Sequence, residues 1–391
     1  MTRTASRRAA ALAAALFVFG FGEELWFRYL PEYLRTLGAS ALTVGLFGTL
    51  RDFLDAAYAY PGGAVTDRIG TGRALLLFGA ISTAGFAIFA AWPSITGVFV
   101  GLLFAMAWAS LGLPATFAVI GEELAGARRV VGFTVQAIVK RVPIVLAPPL
   151  GGLLLERFGV RGGMRVGFIV SIALSIAMLA GLSRAFARGA APPARETASG
   201  RRVRLRPALR QLLVADCLVR LCEGLPEVFV VIWAIEVVRV SPVQFGLLTS
   251  ILMATAIASY FPAAALAGRS EKKTFVLLTY AFFTAYPLAL LAARSFAGLA
   301  AAAAIGGLRE VGEPARKALI VDLAEPSARG RTVGIYYAWR GFAVAGASAI
   351  GGALWTIRPS WTFVAAAALG AAGTLWAALF LPREAGPAPG E

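Results

Sequence analysis

The sequence has no histidine and few charged residues. Of its 391 residues, 15% are Asp, Glu, Lys or Arg, whereas an average soluble domain carries about a quarter. Because no imidazole is present to titrate near neutral pH, any proton chemistry has to depend on carboxylates. The two cysteines, Cys217 and Cys222, lie close together in one apolar block, and a helix would point them to different faces. We therefore predict neither a disulfide nor a metal site there.

Sequence signatures of catalysis are also missing. The chain has no G-x-S-x-G nucleophile elbow, no Walker-type phosphate loop and no cluster of residues with metal-ligand spacing. These absences argue against an enzyme and against an ATP-driven pump. We predict no metal and no cofactor.

Apolar sequence, in contrast, is abundant. Hydrophobic residues make up 59% of the chain, and they form long blocks near the roughly 20 residues that a helix needs to cross a bilayer. Hydropathy, broken at turn and charge signals, predicts an all-α membrane protein with twelve transmembrane spans. Their approximate bounds are 10–34, 42–64, 74–92, 96–120, 132–156, 163–184, 210–237, 243–267, 274–293, 296–322, 332–356 and 361–382.

The first of these spans imitates a signal peptide. Three arginines precede an apolar core, which is the usual order of a secretory leader. The apolar run continues past Phe19 through Trp26 to Tyr33, however, and so reaches membrane-spanning length. We therefore expect a retained first helix.

Lysine and arginine are unevenly divided between the segments that separate the spans. The chain has 37 Lys and Arg against 21 Asp and Glu, a net charge of +16. With the N-terminus inside, the inner segments and their edges hold 21 of these cations and the outer ones 7. The positive-inside rule then places both termini in the cytoplasm. Because topology accounts for the charge, we do not predict nucleic-acid binding.

The longest loop divides the chain almost in half. Residues 185–209 are rich in Ala, Pro and Arg, with little to bury, which is typical of a flexible or surface-lying linker. Its basic end suits the anionic headgroups of the inner leaflet. We predict an N-terminal six-helix bundle (1–184), this linker, and a C-terminal six-helix bundle with a short cytoplasmic tail (210–391).

The two halves resemble each other at a shift of about 200 residues. Any single match is weak, but together they keep their register across several helices. The matched pairs include Gly45-Leu46 with Gly246-Leu247, Tyr60-Pro61 with Phe261-Pro262, Lys140 with Arg340, and Gly151-Gly152 with Gly351-Gly352. We predict two pseudo-symmetric bundles in the same orientation, an arrangement typical of secondary transporters with a site between the halves.

A hydrophilic island follows the second span, with the sequence GGAVTDRIGTGR. It resembles the G-x-x-x-D-R-x-G signature of the major facilitator superfamily, and with the helix count and repeat the chain resembles that family over its whole length. The glycines suit a tight turn and close helix approach, and the aspartate can cap a helix N-terminus. The resemblance implies a conformational latch formed by Gly63, Asp67, Arg68, Gly70 and Arg73. The alternative is an Asp-Arg turn that only sets topology.

Ionisable residues also lie within the apolar spans. Each costs at least about 2.5–3.5 kcal/mol at a helix centre, so such residues are usually paired or face a wet cavity. In the first span, Glu24 and Arg28 are four residues apart and share a face. In the seventh, Arg220, Glu223 and Glu227 are spaced to share one as well.

Two interpretations of these charges stay open. They are either mutually paired structural ions or partly a site for substrate and a coupling proton, since a neighbouring cation changes the proton affinity of a carboxyl. The acids proposed for proton coupling are Glu23, Glu24, Glu223, Glu310 and Glu313. The cations proposed as substrate contacts or counter-charges are Arg28, Lys140, Arg220, Arg309 and Arg340. The resemblance implies that helices 1, 4, 5, 7, 8, 10 and 11 line a central cavity.

The fifth span contains APPLGG, which resembles the family's antiporter signature. Ala147, Pro148, Gly151 and Gly152 fit that pattern, although the same residues also suit ordinary tight helix packing. The stretch from span 10 to span 11 resembles bacterial drug-efflux-like members. We therefore expect proton-coupled efflux of a small molecule by a monomer in the bilayer of the bacterial cytoplasmic membrane. The alternatives are a proton symporter that imports a small organic anion, for which Lys140, Arg220 and Arg340 are suited, and a non-transporting receptor.

Overall fold

The computed structural model describes residues 3–111, 127–186, 205–266, 272–324 and 329–381. Most of the predicted linker, 185–209, lies outside these ranges. Within them the chain is all-helical, with no strand. The predicted domain boundaries therefore stay a prediction.

Six α-helices form the first half of the described chain. They are α1 Arg3–Glu24, α2 Leu30–Thr36, α3 Ala41–Ile69, α4 Thr71–Ala91, α5 Ile95–Ala105 and α6 Ala127–Phe186. A 3-10 turn, Phe27–Tyr29, separates α1 from α2, and a π-helical turn, Ala107–Leu111, follows α5. The helix α6 contains Gly159 at φ 70° and ψ 166°, a non-helical conformation that interrupts it where the sequence predicts a break.

The second half contains nine further α-helical segments. They are α7 Pro207–Gly224, α8 Val230–Ile232, α9 Pro242–Leu266, α10 Lys272–Ala292, α11 Phe296–Leu308, α12 Glu313–Leu323, α13 Arg329–Val344, α14 Ala347–Ile357 and α15 Pro359–Phe380. A 3-10 turn, Glu227–Phe229, follows α7, and a π-helical turn, Trp233–Val237, follows α8.

The chain divides into two compact units. Unit 1 comprises residues 1–39, 50–198 and 241–250, and unit 2 comprises 40–49, 199–240 and 251–391. Each unit therefore includes a ten-residue segment from the other half of the sequence.

Six helices in the described ranges are long and apolar enough to cross a membrane. These candidate spans are Ala10–Thr36, Thr71–Ala91, Lys140–Phe186, Pro242–Tyr260, Lys272–Ala292 and Pro359–Phe380. The helix Ile95–Leu111 is apolar but shorter. The twelve-span count and the orientation of the termini stay predictions.

The repeat seen in the sequence has a counterpart in the local structure. The 3-10 turns at Phe27–Tyr29 and Glu227–Phe229 are 200 residues apart. Ser94 and Ser295, which are 201 residues apart, each cap a helix by accepting a hydrogen bond from the backbone N–H three residues on. Equivalent positions in the two halves therefore have the same local conformation.

An aromatic cluster forms much of the core of unit 1. The indole ring of Trp26 packs edge-on against Phe86, Phe89 and Phe168, with ring centroids 5.2–5.4 Å apart. Its Nε1 donates to Ser171 Oγ at 2.8 Å, so the one polar atom of this side chain has a partner. This packing holds the interrupted helix α1–α2 against α4 and α6.

Unit 2 has two corresponding centres of packing. Trp233, Trp355 and Phe363 pack together, with Trp233 Nε1 donating to the carbonyl of Leu290 at 3.0 Å. A larger apolar cluster, which includes Tyr280 and other buried residues, joins α7, α10, α12, α13 and α15. In both centres, buried side chains from several helices pack against one another and hold those helices together.

Most of the hydrophilic island of the signature motif, residues 62–69, continues helix α3, and its end begins α4. Gly70 lies between them at φ 84° and ψ 152°, and no side chain caps α4. Asp67 lies in the last turn of α3 instead, so the expected capping role falls to a glycine position. Asp67, Arg68 and Arg73 are exposed.

Replacing Gly70 by alanine is expected to destabilise the protein. Its backbone conformation is nearly exclusive to glycine, and a Cβ there costs about 1–3 kcal/mol. Gly334 in α13 is a matched control, since a Cβ added there meets open space, and alanine in a helix interior is favoured by up to about 1 kcal/mol. Unfolding of the purified protein in SDS titrations measures both variants. Equal stability of Gly70→Ala and Gly334→Ala would contradict this account.

Candidate transport site

A cavity of about 190 Å³ lies within unit 1. Its apolar wall consists of Leu16, Gly20, Trp108, Ala109 and Ile144. Its charged lining consists of Glu23 and Glu24 from the end of α1 and Lys140 from α6. Three of the charges that the sequence singles out therefore face one small space.

The charged residues of this cavity differ in their pairing. Glu24 forms a bidentate pair with Arg28, with the Arg28 Nε 2.9 Å from the carboxylate, as the i, i+4 spacing predicts. The side chains of Glu23 and Lys140 make no hydrogen bond or ion pair with another residue that the structure describes. Glu23 and Lys140 are near enough to influence each other electrostatically.

Further charged residues of α3 lie in the same unit. Arg51 pairs with its neighbour Asp52 at 2.7 Å. Asp55 accepts a hydrogen bond from Ser110 of the π-helical turn at 2.7 Å. Asp55 also lies within electrostatic range of Glu23 and Lys140, so it belongs to the surroundings of the cavity.

A network of charges lies in the interior of unit 2. Arg220 bonds Glu223 at 2.7 Å and Glu313 at 3.2 Å. Arg309 approaches Glu223 at 3.5 Å and stacks on the rings of Phe283 and Tyr286, with its guanidinium carbon 4.9 and 4.5 Å from their centroids. These contacts join three of the predicted helices and favour the paired-ion interpretation for Arg220, Glu223 and Glu313.

Asp216 is the centre of this network, although it is not among the acids proposed from the sequence for proton coupling. Its carboxylate is buried and accepts hydrogen bonds from Arg316 at 2.6 Å and from Tyr336 at 3.0 Å. Tyr280 and Arg340 donate to it at 3.4 Å. Arg340 therefore contacts an acid of unit 2.

The surroundings of two further acids, Glu310 and Glu227, differ from what their spacing in the sequence indicates. Glu310 accepts a hydrogen bond from Tyr260 at 2.6 Å, a partner that no local spacing indicates. Glu227 does not continue the face of Arg220 and Glu223, because α7 ends at Gly224 and Glu227 is exposed in the 3-10 turn.

The candidate acids share one structural feature: they lie where helices are interrupted. Glu23 and Glu24 end α1, and Glu223 lies at the end of α7. Glu310 lies in the break between α11 and α12, and Glu313 is the first residue of α12. An interrupted helix leaves backbone N–H and C=O groups without intrahelical partners. In membrane transporters such discontinuous helices typically form the sites for ions and substrates.

The residues of the antiporter-like motif act as packing positions within unit 1. Tyr29 Oη lies 2.7 Å from the carbonyl oxygen of Pro148 and 2.9 Å from that of Pro242, so the two carbonyls share its one hydroxyl proton. Gly151 lies against the backbone of Leu25, and Gly152 against that of Pro242, so that a Cβ at either glycine would collide. Ala147 is fully buried. Close backbone approach is a sufficient reason for small residues here.

The fold and the buried charges together define a class, the multi-pass membrane transporters. The family model described as Major Facilitator Superfamily matches residues 12–222 and 212–391. The chain therefore belongs to the major facilitator superfamily and is a transporter rather than an enzyme. A comparison with curated proteins gave no match.

Several solved structures have the same fold. A crystal structure of the peptide transporter POT in complex with sulfate is 15% identical, with a TM-score of 0.78 over 96% of this chain and 94% of the other. A bacterial homologue of the human lysosomal transporter Spinster, inward-facing and unoccupied, is 15% identical, with a TM-score of 0.72 over 99% and 100%. A mutant of the nucleoside transporter NupG is 11% identical, with a TM-score of 0.77 over 96% and 100%. At these identities the likeness extends to the fold alone.

Proposed function

We propose that this protein exports a small molecule across the bacterial cytoplasmic membrane in exchange for protons. Transport would proceed by alternating access, with twelve spans and both termini in the cytoplasm. The observation that supports this most directly is Glu23, a carboxylate that lines a small cavity and whose side chain has no partner among the described residues. A carboxylate without a partner in surroundings of low dielectric carries a desolvation cost, which a proton or a cationic ligand offsets.

Glu23 is the best candidate for the proton site because its alternatives are occupied. Glu24 forms an ion pair with Arg28, and both Glu223 and Glu313 form ion pairs with Arg220. Glu310 accepts a hydrogen bond from a tyrosine. Those acids keep their charge or hydrogen bond as long as the partner stays. Glu23 is free to exchange its proton for a different ligand of the cavity.

Alternate binding of a proton and of substrate at Glu23 would couple the movement of the two across the membrane. If proton and substrate occupy Glu23 in turn, the protein changes access loaded with one or the other, and the inward proton gradient drives the substrate outward. Lys140, which lines the same cavity, is the proposed counter-charge. Arg28, Arg220, Arg309 and Arg340 are then structural partners of acids rather than primary substrate contacts.

The remaining motif residues receive supporting roles in this proposal. Asp67, Arg68 and Arg73 are exposed at the α3–α4 junction, as a conformational latch requires, and Gly70 provides its turn. Ala147, Pro148, Gly151 and Gly152 allow the close packing of α6 within unit 1. Solved transporters of this fold include a nucleoside transporter and a peptide transporter, which supports a small polar solute as the substrate.

Vesicles of defined orientation test the direction of transport. In inverted vesicles acidified inside, an exporter that exchanges protons should accumulate its substrate and release protons, which a pH-sensitive fluorophore reports for each member of a panel of amines, amino acids and carboxylic acids. Solute uptake by right-side-out vesicles with protons entering alongside would instead show import by symport. A response in neither orientation would contradict transport of these solutes and favour a receptor.

A further inference from the structure

We propose that the cavity in unit 1 binds a small zwitterion, a molecule with one ammonium group and one acidic group joined by a short apolar body. The ammonium would contact Glu23 and the acidic group Lys140. This inference rests on the proposed function, because it names the class of substrate that the same site would take.

The first argument is the balance of charge in the cavity. Of its three ionisable side chains, Glu24 is already neutralised by Arg28 at 2.9 Å. One acid, Glu23, and one base, Lys140, remain, and they come from different helices without forming an ion pair with each other. The lining therefore offers one negative and one positive contact at two separate points.

The second argument is energetic. Each unpaired charge in surroundings of low dielectric carries a desolvation cost, which is offset only by a partner of opposite sign with good geometry. A ligand with a single charge would satisfy either Glu23 or Lys140 and add to the field of the other. A zwitterion satisfies both contacts, and it adds no net charge to a cavity in which Glu23 is ionised.

The third argument is size and shape. A volume of about 190 Å³ is below the roughly 300–1,000 Å³ of sites for drug-sized ligands. The rest of the lining is apolar, with Leu16, Ile144 and the indole of Trp108 around the small residues Gly20 and Ala109. A short aliphatic or small aromatic body fits such walls, whereas a large lipophilic drug does not fit the space.

Binding of the ammonium group and binding of a proton exclude each other at Glu23. The charged groups that face this carboxylate are Glu24 and Arg28 of the same chain segment, Asp55 of α3 and Lys140 of α6. Protonation of Glu23 removes the ammonium contact and leaves Lys140 in place. Affinity for the zwitterion should therefore fall as Glu23 is protonated, with the loss of one proton for each ligand bound.

The experiment compares probes that differ only in their charges. The full-length purified protein is titrated calorimetrically with short ω-amino acids, from glycine to 6-aminohexanoic acid, and with the amine and the carboxylic acid of each chain length. One or more of the zwitterions should bind at least about tenfold more tightly than both of its singly charged analogues. The preferred chain length would report the distance between the two contacts.

Variants of the two contacts complete the test. Glu23→Gln and Lys140→Met should each reduce zwitterion affinity by about tenfold or more, and Ile144→Trp, which fills the cavity while keeping both charges, should abolish it. Glu227→Gln and Arg157→Met, which change exposed residues away from the cavity, should leave it unchanged. Thermal unfolding of each variant identifies any that fail to fold, and for those the conservative Glu23→Asp and Lys140→Arg are used.

Two results would overturn the proposal that the cavity binds a zwitterion. One is a singly charged analogue that binds as tightly as the zwitterion of the same chain length, and the other is no binding by any member of the series. Neither result would decide the proposed function. If proton-driven transport of another solute still required Glu23, the transporter mechanism would stand without this substrate class. If the zwitterions bound but caused no proton movement across the membrane, the binding site would be supported and the proton-exchange mechanism would be contradicted.

Discussion

The variant Glu23→Gln is expected to lose transport driven by a pH gradient while it keeps substrate exchange. Glutamine has the shape of protonated glutamate but cannot release a proton, so the cycle can no longer link the two gradients. Exchange of labelled for unlabelled substrate across the same membrane needs only the change of access. The two rates are measured in proteoliposomes with and without an imposed gradient.

The size of this effect should set Glu23 apart from the other acids. A group that carries the coupled proton supports all of the driven flux, so the loss should approach the background of empty liposomes. Glu227→Gln is the matched control, since Glu227 is an exposed glutamate in the 3-10 turn after α7 and should retain normal driven flux. Driven flux in Glu23→Gln equal to that of the control would remove Glu23 from the proton role.

The second large effect is expected in the interior of unit 2. Asp216 and Arg316 form an ion pair at 2.6 Å in which each side chain is 1% exposed. Replacing one partner leaves the other buried with fewer contacts, since Arg316 keeps Glu313 at 2.6 Å and Asp216 keeps Arg340 at 3.4 Å, so the expected cost is at most the roughly 3–5 kcal/mol of an unpaired buried charge. Asp216→Asn and Arg316→Met should each lower the free energy of unfolding by up to that amount, measured by SDS titration of the purified protein.

The chain offers a close control for this pair. Lys272 and Asp322 form an ion pair at 2.8 Å with side chains that are 36% and 52% exposed. Exposed pairs contribute about 0–1 kcal/mol, so Asp322→Asn should have little effect. The double variant Asp216→Asn with Arg316→Met should be less destabilised than the sum of the single changes, because neither charge is then left alone. A simple sum would show that the two residues act independently.

The sequence predicts well what depends on local spacing. Arg220 and Glu223 lie within one turn of α7, and Glu24 and Arg28 are only four residues apart across the end of α1, so nearness in the sequence brings each pair together. The membrane class and the family follow from hydropathy and the signature motif, because a bilayer imposes long apolar segments that composition reveals directly.

Contacts between residues that are far apart in the sequence cannot be predicted from local spacing. Asp216 and Arg316 are 100 residues apart, and Ser110 and Asp55 are 55 apart, so their meeting depends on how helices pack. The interruptions of the first and seventh predicted spans are also missed, because hydropathy continues through them. Pro226, which precedes the 3-10 turn in the second half, is a signal that could have located one of them.

The first helix is interrupted after Glu24 and its counterpart in the second half after Gly224, yet the two halves use their matching cations differently. Lys140 lines a cavity, whereas Arg340 bonds a buried aspartate. A repeated sequence therefore need not repeat a site, because the same position leaves a charge open to a cavity in one half and completes an ion pair in the other.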